Sequence, residues 1–138
     1  MLDRARDVRL FERAAIGRLA AAAFLLQHGF RIDAVYLGGY GIECALKSLV
    51  LKRAPGNVYD DFYRRITRGS QAHDFEVLVG ILKKKPLNCV IPADVQAVLR
   101  RAGSWSTNLR YQTGFVRERE ARQFLDGAER VRAWCQES

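Results

Sequence analysis

Residues 34–51 read AVYLGGYGIECALKSLVL, a helix-length run that is apolar nearly all the way round. Such a helix needs cover on every side, which places it at the centre of a bundle. Within it Glu43 and Lys47 stand four residues apart, a spacing that puts them on one face. Tyr36 and Tyr40 fall on the same stripe, while Val35, Gly39, Ile42, Leu46, Leu49 and Val50 line another side. A buried helix with one polar seam holds either a structural ion pair or the floor of a site. Gly38, Gly39 and Gly41 each lower helix propensity by about 1 kcal/mol relative to alanine. Three of them in one helix predict very close helix packing or the near approach of a ligand.

Working outward, the pattern predicts a first helix over about Asp3 to Gln27. Val8, Phe11, Ala15, Leu19, Ala22 and Leu26 recur at spacings of three and four. Arg6, Arg9, Arg13, Asp7 and Glu12 are expected on its outer faces. Gly29, after His28, suits a left-handed helix cap. The central helix begins near Ile32, with Asp33 as a candidate cap, and stops before Pro55-Gly56. A connection this short makes the first two helices antiparallel neighbours. Residues 55–71 read as a connection with one helical turn at DDFYRRI. A third helix opens at His73-Asp74 and runs to Lys83. A fourth starts around Pro92 and ends at Gly103, after which SWSTNLRYQTG reads as irregular. The last spans about Arg117 to Cys135, with Ala121, Phe124, Ala128 and Val131 in register. No alternating strand pattern persists. The chain is read as all-α, one domain over residues 1–138, a four- or five-helix up-and-down bundle.

Composition narrows the class. A 138-residue chain with 49% hydrophobic residues can bury a core without staples. The formal net charge is +8 and the pI about 9.9, which suits a polyanionic partner. Of that excess, +5 lies in residues 61–116, where nine basic side chains face four acidic ones. Cys44, Cys89 and Cys135 form no CxxC pair, so neither a zinc site nor a disulfide framework is indicated. The N-terminal MLDRARDVRLFERAA alternates charges and lacks the apolar core of a signal peptide. The apolar run from Leu19 to Leu26 is too short to span a membrane. The expected setting is the reducing cytoplasm, with no membrane partner.

The chemistry-bearing residues are Glu43, Lys47, Arg68, His73, Asp74, Arg110 and Tyr111. A histidine at a helix start is the side chain best suited to proton transfer near neutral pH. Arg68 lies five positions earlier, where a guanidinium could stabilise charge developing on phosphate oxygens. Arg110-Tyr111 offers a second guanidinium and an aromatic face for a base. Each has a structural alternative. Glu43 with Lys47 is also an ordinary intrahelical pair, His73-Asp74 an ordinary helix start, and Arg110 a residue able to pin its loop to Glu43.

The order of segments resembles the HEPN domain, the higher eukaryotes and prokaryotes nucleotide-binding helical domain. The resemblance is carried by residues 21–51 (AAAFLLQHGFRIDAVYLGGYGIECALKSLVL), AHDFEVL at 72–78, NLRY at 108–111 and FLDGAERVRAWC at 124–135. Its centre is an aromatic-small-x-x-Glu-x-x-x-Lys pattern, here Tyr40, Glu43 and Lys47, followed by a His-Asp-hydrophobic helix start at His73. The resemblance implies an all-α homodimer with its site in a cleft near the dimer interface. It implies a nucleotide- or RNA-binding protein, and in many members a metal-independent ribonuclease toxin of toxin–antitoxin and antiviral systems. Other members are non-catalytic modules that pair with a minimal nucleotidyltransferase antitoxin. Arg68 and His73 fit the family's Arg-xxxx-His spacing, with Gly69 where a polar neighbour is usual. On that reading Arg68 and His73 are the catalytic candidates. Tyr40, Glu43, Lys47, Arg110 and Tyr111 are the nucleotide- or RNA-binding candidates, and no cofactor or metal is implied.

Overall fold

The computed structural model describes residues 2–109 and 116–138. Among the described residues six α-helices carry the fold: α1 (Arg4–Gln27), α2 (Arg31–Arg53), α3 (Tyr59–Thr67), α4 (Phe75–Lys83), α5 (Ala93–Leu109) and α6 (Glu118–Glu137). Short 3₁₀ turns at Gly56–Val58 and Ser70–His73 flank α3. There is no strand among the described residues, so the all-α bundle is as expected, with one helix more. The extra one is α3, where the DDFYRRI turn extends to nine residues.

α2 is the centre, touching α1, α3, α4, α5 and α6. Every residue from Gly41 to Leu51 is buried. Ile42, Leu46, Leu49 and Leu51 are fully enclosed, and burying one such side chain contributes roughly 1.5–3 kcal/mol. This helix is long and apolar enough to cross a membrane, but 78% of that window is buried inside the bundle, the pattern of a core helix.

Two of its glycines let neighbours approach. A Cβ on Gly41 would stand 2.7 Å from the Leu19 side chain of α1, and one on Gly38 would stand 2.6 Å from Leu125 of α6. Gly39 is different, since a Cβ there would meet only the Phe75 ring, at 3.9 Å.

Helix directions follow from contacts at opposite ends. Leu19 lies against Gly41 while Arg4 donates to the carbonyls of Leu51 and Lys52 at 2.7 and 3.1 Å, so α1 runs antiparallel to α2. Leu125 meets Gly38 and Lys52 donates to the Cys135 and Gln136 carbonyls, so α6 runs parallel to it. Asp94 pairs with Arg130 while Val98 packs on Gly127, which makes α5 antiparallel to α6. Arg4 and Lys52 thus place cationic groups on the end carbonyls of α2 and α6, where unpaired oxygens and the helix dipole favour them.

The ends of the helices correct several sequence expectations. Gly29 takes the left-handed φ of 84° after α1, as its place in the chain requires. Asp33 is not the cap of α2: the cap is Phe30, with no side-chain bond, and Asp33 sits in the first turn. Gly103 does not end α5, which runs on through Ser104–Leu109. Gly103 is only a weak helix former, and a weak preference yields when hydrogen bonding continues on both sides. Asp7, expected on an outer face, is buried and accepts a hydrogen bond from the Tyr59 hydroxyl at 2.8 Å. Arg4 stacks over the same tyrosine, 4.9 Å from the ring centroid. Burial first, then the Asp7 carboxylate, raises the Tyr59 phenol above its ordinary range.

Candidate functional site

The polar seam of α2 is a cluster of three charged or titratable side chains. Lys47 Nζ donates to Glu43 Oε2 at 3.0 Å, one turn along the same helix. His73 reaches across from the start of α4, its Nδ1 lying 3.1 Å from both Glu43 oxygens. Burial is graded through the cluster. Lys47 and Glu43 are 5% and 7% exposed, whereas the His73 side chain is 52% exposed. The carboxylate is the hinge between a buried cation and an imidazole open to solvent. Every buried side-chain nitrogen or oxygen among the described residues has a partner, so the seam leaves no orphan.

Local sequence explains how His73 comes to be there. Gly69 adopts a left-handed φ of 83°, turning the chain after α3. The 3₁₀ turn Ser70–His73 follows, and Asp74 then caps α4 by accepting from the Glu76 and Val77 amides at 2.8 and 3.4 Å. Phe75 inserts toward Gly39, so the first turn of α4 is clamped onto α2 beside Glu43. His73, two residues before Phe75, is held over the seam by that clamp.

A carboxylate accepts hydrogen bonds, so the Nδ1 facing it carries the hydrogen, leaving Nε2 as the basic nitrogen. A carboxylate behind Nδ1 and a free Nε2 in front is the arrangement that orients a histidine for proton transfer. Lys47 balances the buried carboxylate from the other side, and its amine also lies 6.0 Å from the Phe11 ring centroid. Cys44, next in sequence to Glu43, is buried and its thiolate form is disfavoured. Burial first, then the Glu43 charge, pushes its thiol up, opposed by Arg18 and Lys47. Among the described residues no three His, Cys, Asp or Glu side chains gather as metal ligands.

The expected site residues divide into four groups. Glu43, Lys47 and His73 come together in one hydrogen-bonded unit. Tyr40 lies on the same stripe of α2, with its hydroxyl 3.0 Å from that of Tyr36 and the two rings edge to face. Arg68 stands apart: it is the extended cap residue of α3, its side chain is exposed, and none of the cluster's bonds involves it. Arg110 and Tyr111 lie outside the described residues. The Glu43–His73 contact, between residues 30 positions apart, carried no signal in the sequence beyond each residue's own type. The Asp7–Tyr59–Arg4 cluster was equally hidden, since its members come from two helices and Asp7 reads as a surface charge. No protein-family model, curated protein or solved structure matches the chain, so the cluster's own chemistry carries the functional reading.

Proposed function

We propose that this chain is a HEPN-like domain that binds RNA or nucleotide phosphate at the His73 end of the seam and cleaves RNA without a metal ion. The observation that supports this most is the Glu43–His73 contact: a buried carboxylate fixes one imidazole nitrogen of a half-exposed histidine. Nε2 of His73 takes the proton of a ribose 2′-hydroxyl as that oxygen attacks the adjacent phosphorus. The bond from phosphorus to the 5′-oxygen breaks, leaving a 2′,3′-cyclic phosphate and a 5′-oxygen that takes a proton from water to become a hydroxyl. Arg68, exposed five residues before His73, supplies positive charge to the crowded phosphate when RNA is bound. The net charge of +8 favours such a substrate. The proposed working form is a cytoplasmic homodimer acting as the toxin of a toxin–antitoxin or defence system.

The test is cleavage of single-stranded RNA in EDTA by the purified protein and by its His73→Ala variant. The expected result is a cyclic-phosphate product and a loss of about 10²-fold or more in the variant, the scale of a removed acid–base group. Equal activity in the variant would sink the mechanism.

A second reading draws on a different observation. Leu10, Ile16 and Phe24 of α1 are 54%, 47% and 61% exposed, apolar surface of the kind that partners cover. On this reading the chain is a non-catalytic module that dimerises and holds a minimal nucleotidyltransferase, and the Glu43–Lys47–His73 unit is structural. Absence of cleavage by the unsubstituted protein, together with a dimeric mass in light scattering, is what this alternative expects.

A further inference from the structure

We infer that Tyr36 and Tyr40 form a platform on which a base of single-stranded RNA stacks, beside the phosphate bound at His73. The inference rests on the RNA-binding reading above and assigns Tyr36, which lies outside the expected set of site residues, to the same surface.

Position is the first support. Tyr36, Tyr40 and Glu43 follow one another along one stripe of α2, and Glu43 is the residue that holds His73. At 1.5 Å per residue, Tyr40 precedes Glu43 by about 4.5 Å along the axis and Tyr36 by about 10 Å. Burial changes along the same line. α2 is enclosed from Gly41 onward, Tyr40 is half-buried, and Tyr36 is 46% exposed. The stripe therefore emerges into solvent at Tyr36, with Tyr40 between it and the Glu43 that holds the exposed His73.

Geometry is the second. The ring centroids are 5.1 Å apart at 79°, and the hydroxyls are 3.0 Å apart. Each ring is held by the other at two points, so a base that stacks there meets a surface already ordered and little rotamer freedom is lost on binding. The hydroxyl bond occupies the polar end of Tyr36. What Tyr36 offers to solvent is then chiefly ring, and an aromatic ring recognises any base by its face. The platform accordingly selects for the presence of a base and discriminates weakly among bases.

The experiment measures binding of fluorescently labelled 2′-O-methyl oligonucleotides, which lack the 2′-hydroxyl nucleophile and survive incubation. One probe carries bases and the other is an abasic strand of the same length and charge. The unsubstituted protein should bind the base-bearing strand more tightly by about tenfold, the scale of a stacked base. Tyr36→Leu should lose that preference while keeping its affinity for the abasic strand, and Tyr36→Phe should retain most of it. Circular dichroism on each variant confirms the fold. Equal binding of both strands by the unsubstituted protein overturns the platform alone, as does an unchanged preference in Tyr36→Leu. Failure to bind either strand overturns the RNA-binding reading and the platform with it. If binding and base preference are found but His73→Ala cleaves as well as the unsubstituted protein, the platform stands and only the catalytic mechanism falls.

Discussion

Replacing Glu43 by glutamine takes the negative charge away from Lys47, whose side chain is 6% exposed and 3.0 Å from the carboxylate. The ammonium then sits in the bundle centre with no anion within reach, and removing one member of a buried pair costs about 3–5 kcal/mol. Glutamine keeps an acceptor oxygen at the same place, so the lower end, about 3 kcal/mol, is the expected loss. On a total stability of roughly 5–15 kcal/mol that is a large fraction, and for a chain of this length it lowers Tm by about 10 °C. Lys47→Met leaves Glu43 buried but still facing His73, so its expected loss is smaller, about 1–3 kcal/mol. The double variant Glu43→Gln/Lys47→Met removes both charges and is expected within about 1.5 kcal/mol of the unsubstituted protein. The two single losses together, about 4–6 kcal/mol, then exceed the double by at least about 2.5 kcal/mol, the strong coupling of contacting groups. Urea titration followed by circular dichroism measures all four proteins. A loss below about 1 kcal/mol in Glu43→Gln, the scale of a surface pair, would refute a buried seam.

Other outcomes follow from packing and titration. Gly17 has open space around a would-be Cβ, so Gly17→Ala should stabilise by about 0.5–1 kcal/mol, whereas Gly41→Ala, crowding Leu19, should destabilise by about 1–3 kcal/mol in thermal melts. Tyr59→Phe should lose about 1–3 kcal/mol at pH 7, because Asp7 stays buried without its donor. The Tyr59 phenol is raised in the folded protein. Its contribution is therefore complete below the ordinary tyrosine value of about 10 and is lost as pH rises above it. Tyr59→Phe should accordingly show a shallower alkaline fall in stability than the parent. Burial pushes the Cys135 thiol up to about 12, and Cys44 in α2 and Cys89 in the α4–α5 connection are also buried. All three should resist a thiol reagent at pH 8 in native protein and react at once in denaturant; fast native labelling would contradict the packing.

Much of the fold was legible because it is written in one helix. The apolar run from Ala34 to Leu51 has no polar face to leave outside, and it is the element every other helix touches. The stripe of Val8, Ala15, Leu19 and Ala22 likewise read correctly, since three-and-four spacing survives wherever one face is covered. Gly38 and Gly41 announced close packing, and each has a neighbour that a methyl group would strike. What failed were features set by tertiary context. α5 passes Gly103, and Asp7 turns inward because a tyrosine from α3 meets it. The site was legible only in pieces. Glu43 and Lys47 share a face by helical spacing, but His73 joins them through the turn at Gly69 and the Phe75 clamp, and neither has a local periodic signature. Arg68 shows the reverse: a spacing that matches a motif, with a side chain that the folded chain leaves outside the hydrogen-bonded unit.

The most direct measurement is long-range ¹H–¹⁵N NMR of the imidazole rings above their titration range. The chain has two histidines, and His73→Ala assigns them. His73 should carry its hydrogen on Nδ1, facing Glu43, with an unprotonated Nε2, and Glu43→Gln should weaken that preference. An Nε2–H tautomer at His73 in the unsubstituted protein, or a spectrum unchanged by Glu43→Gln, would contradict a carboxylate-oriented histidine at this site.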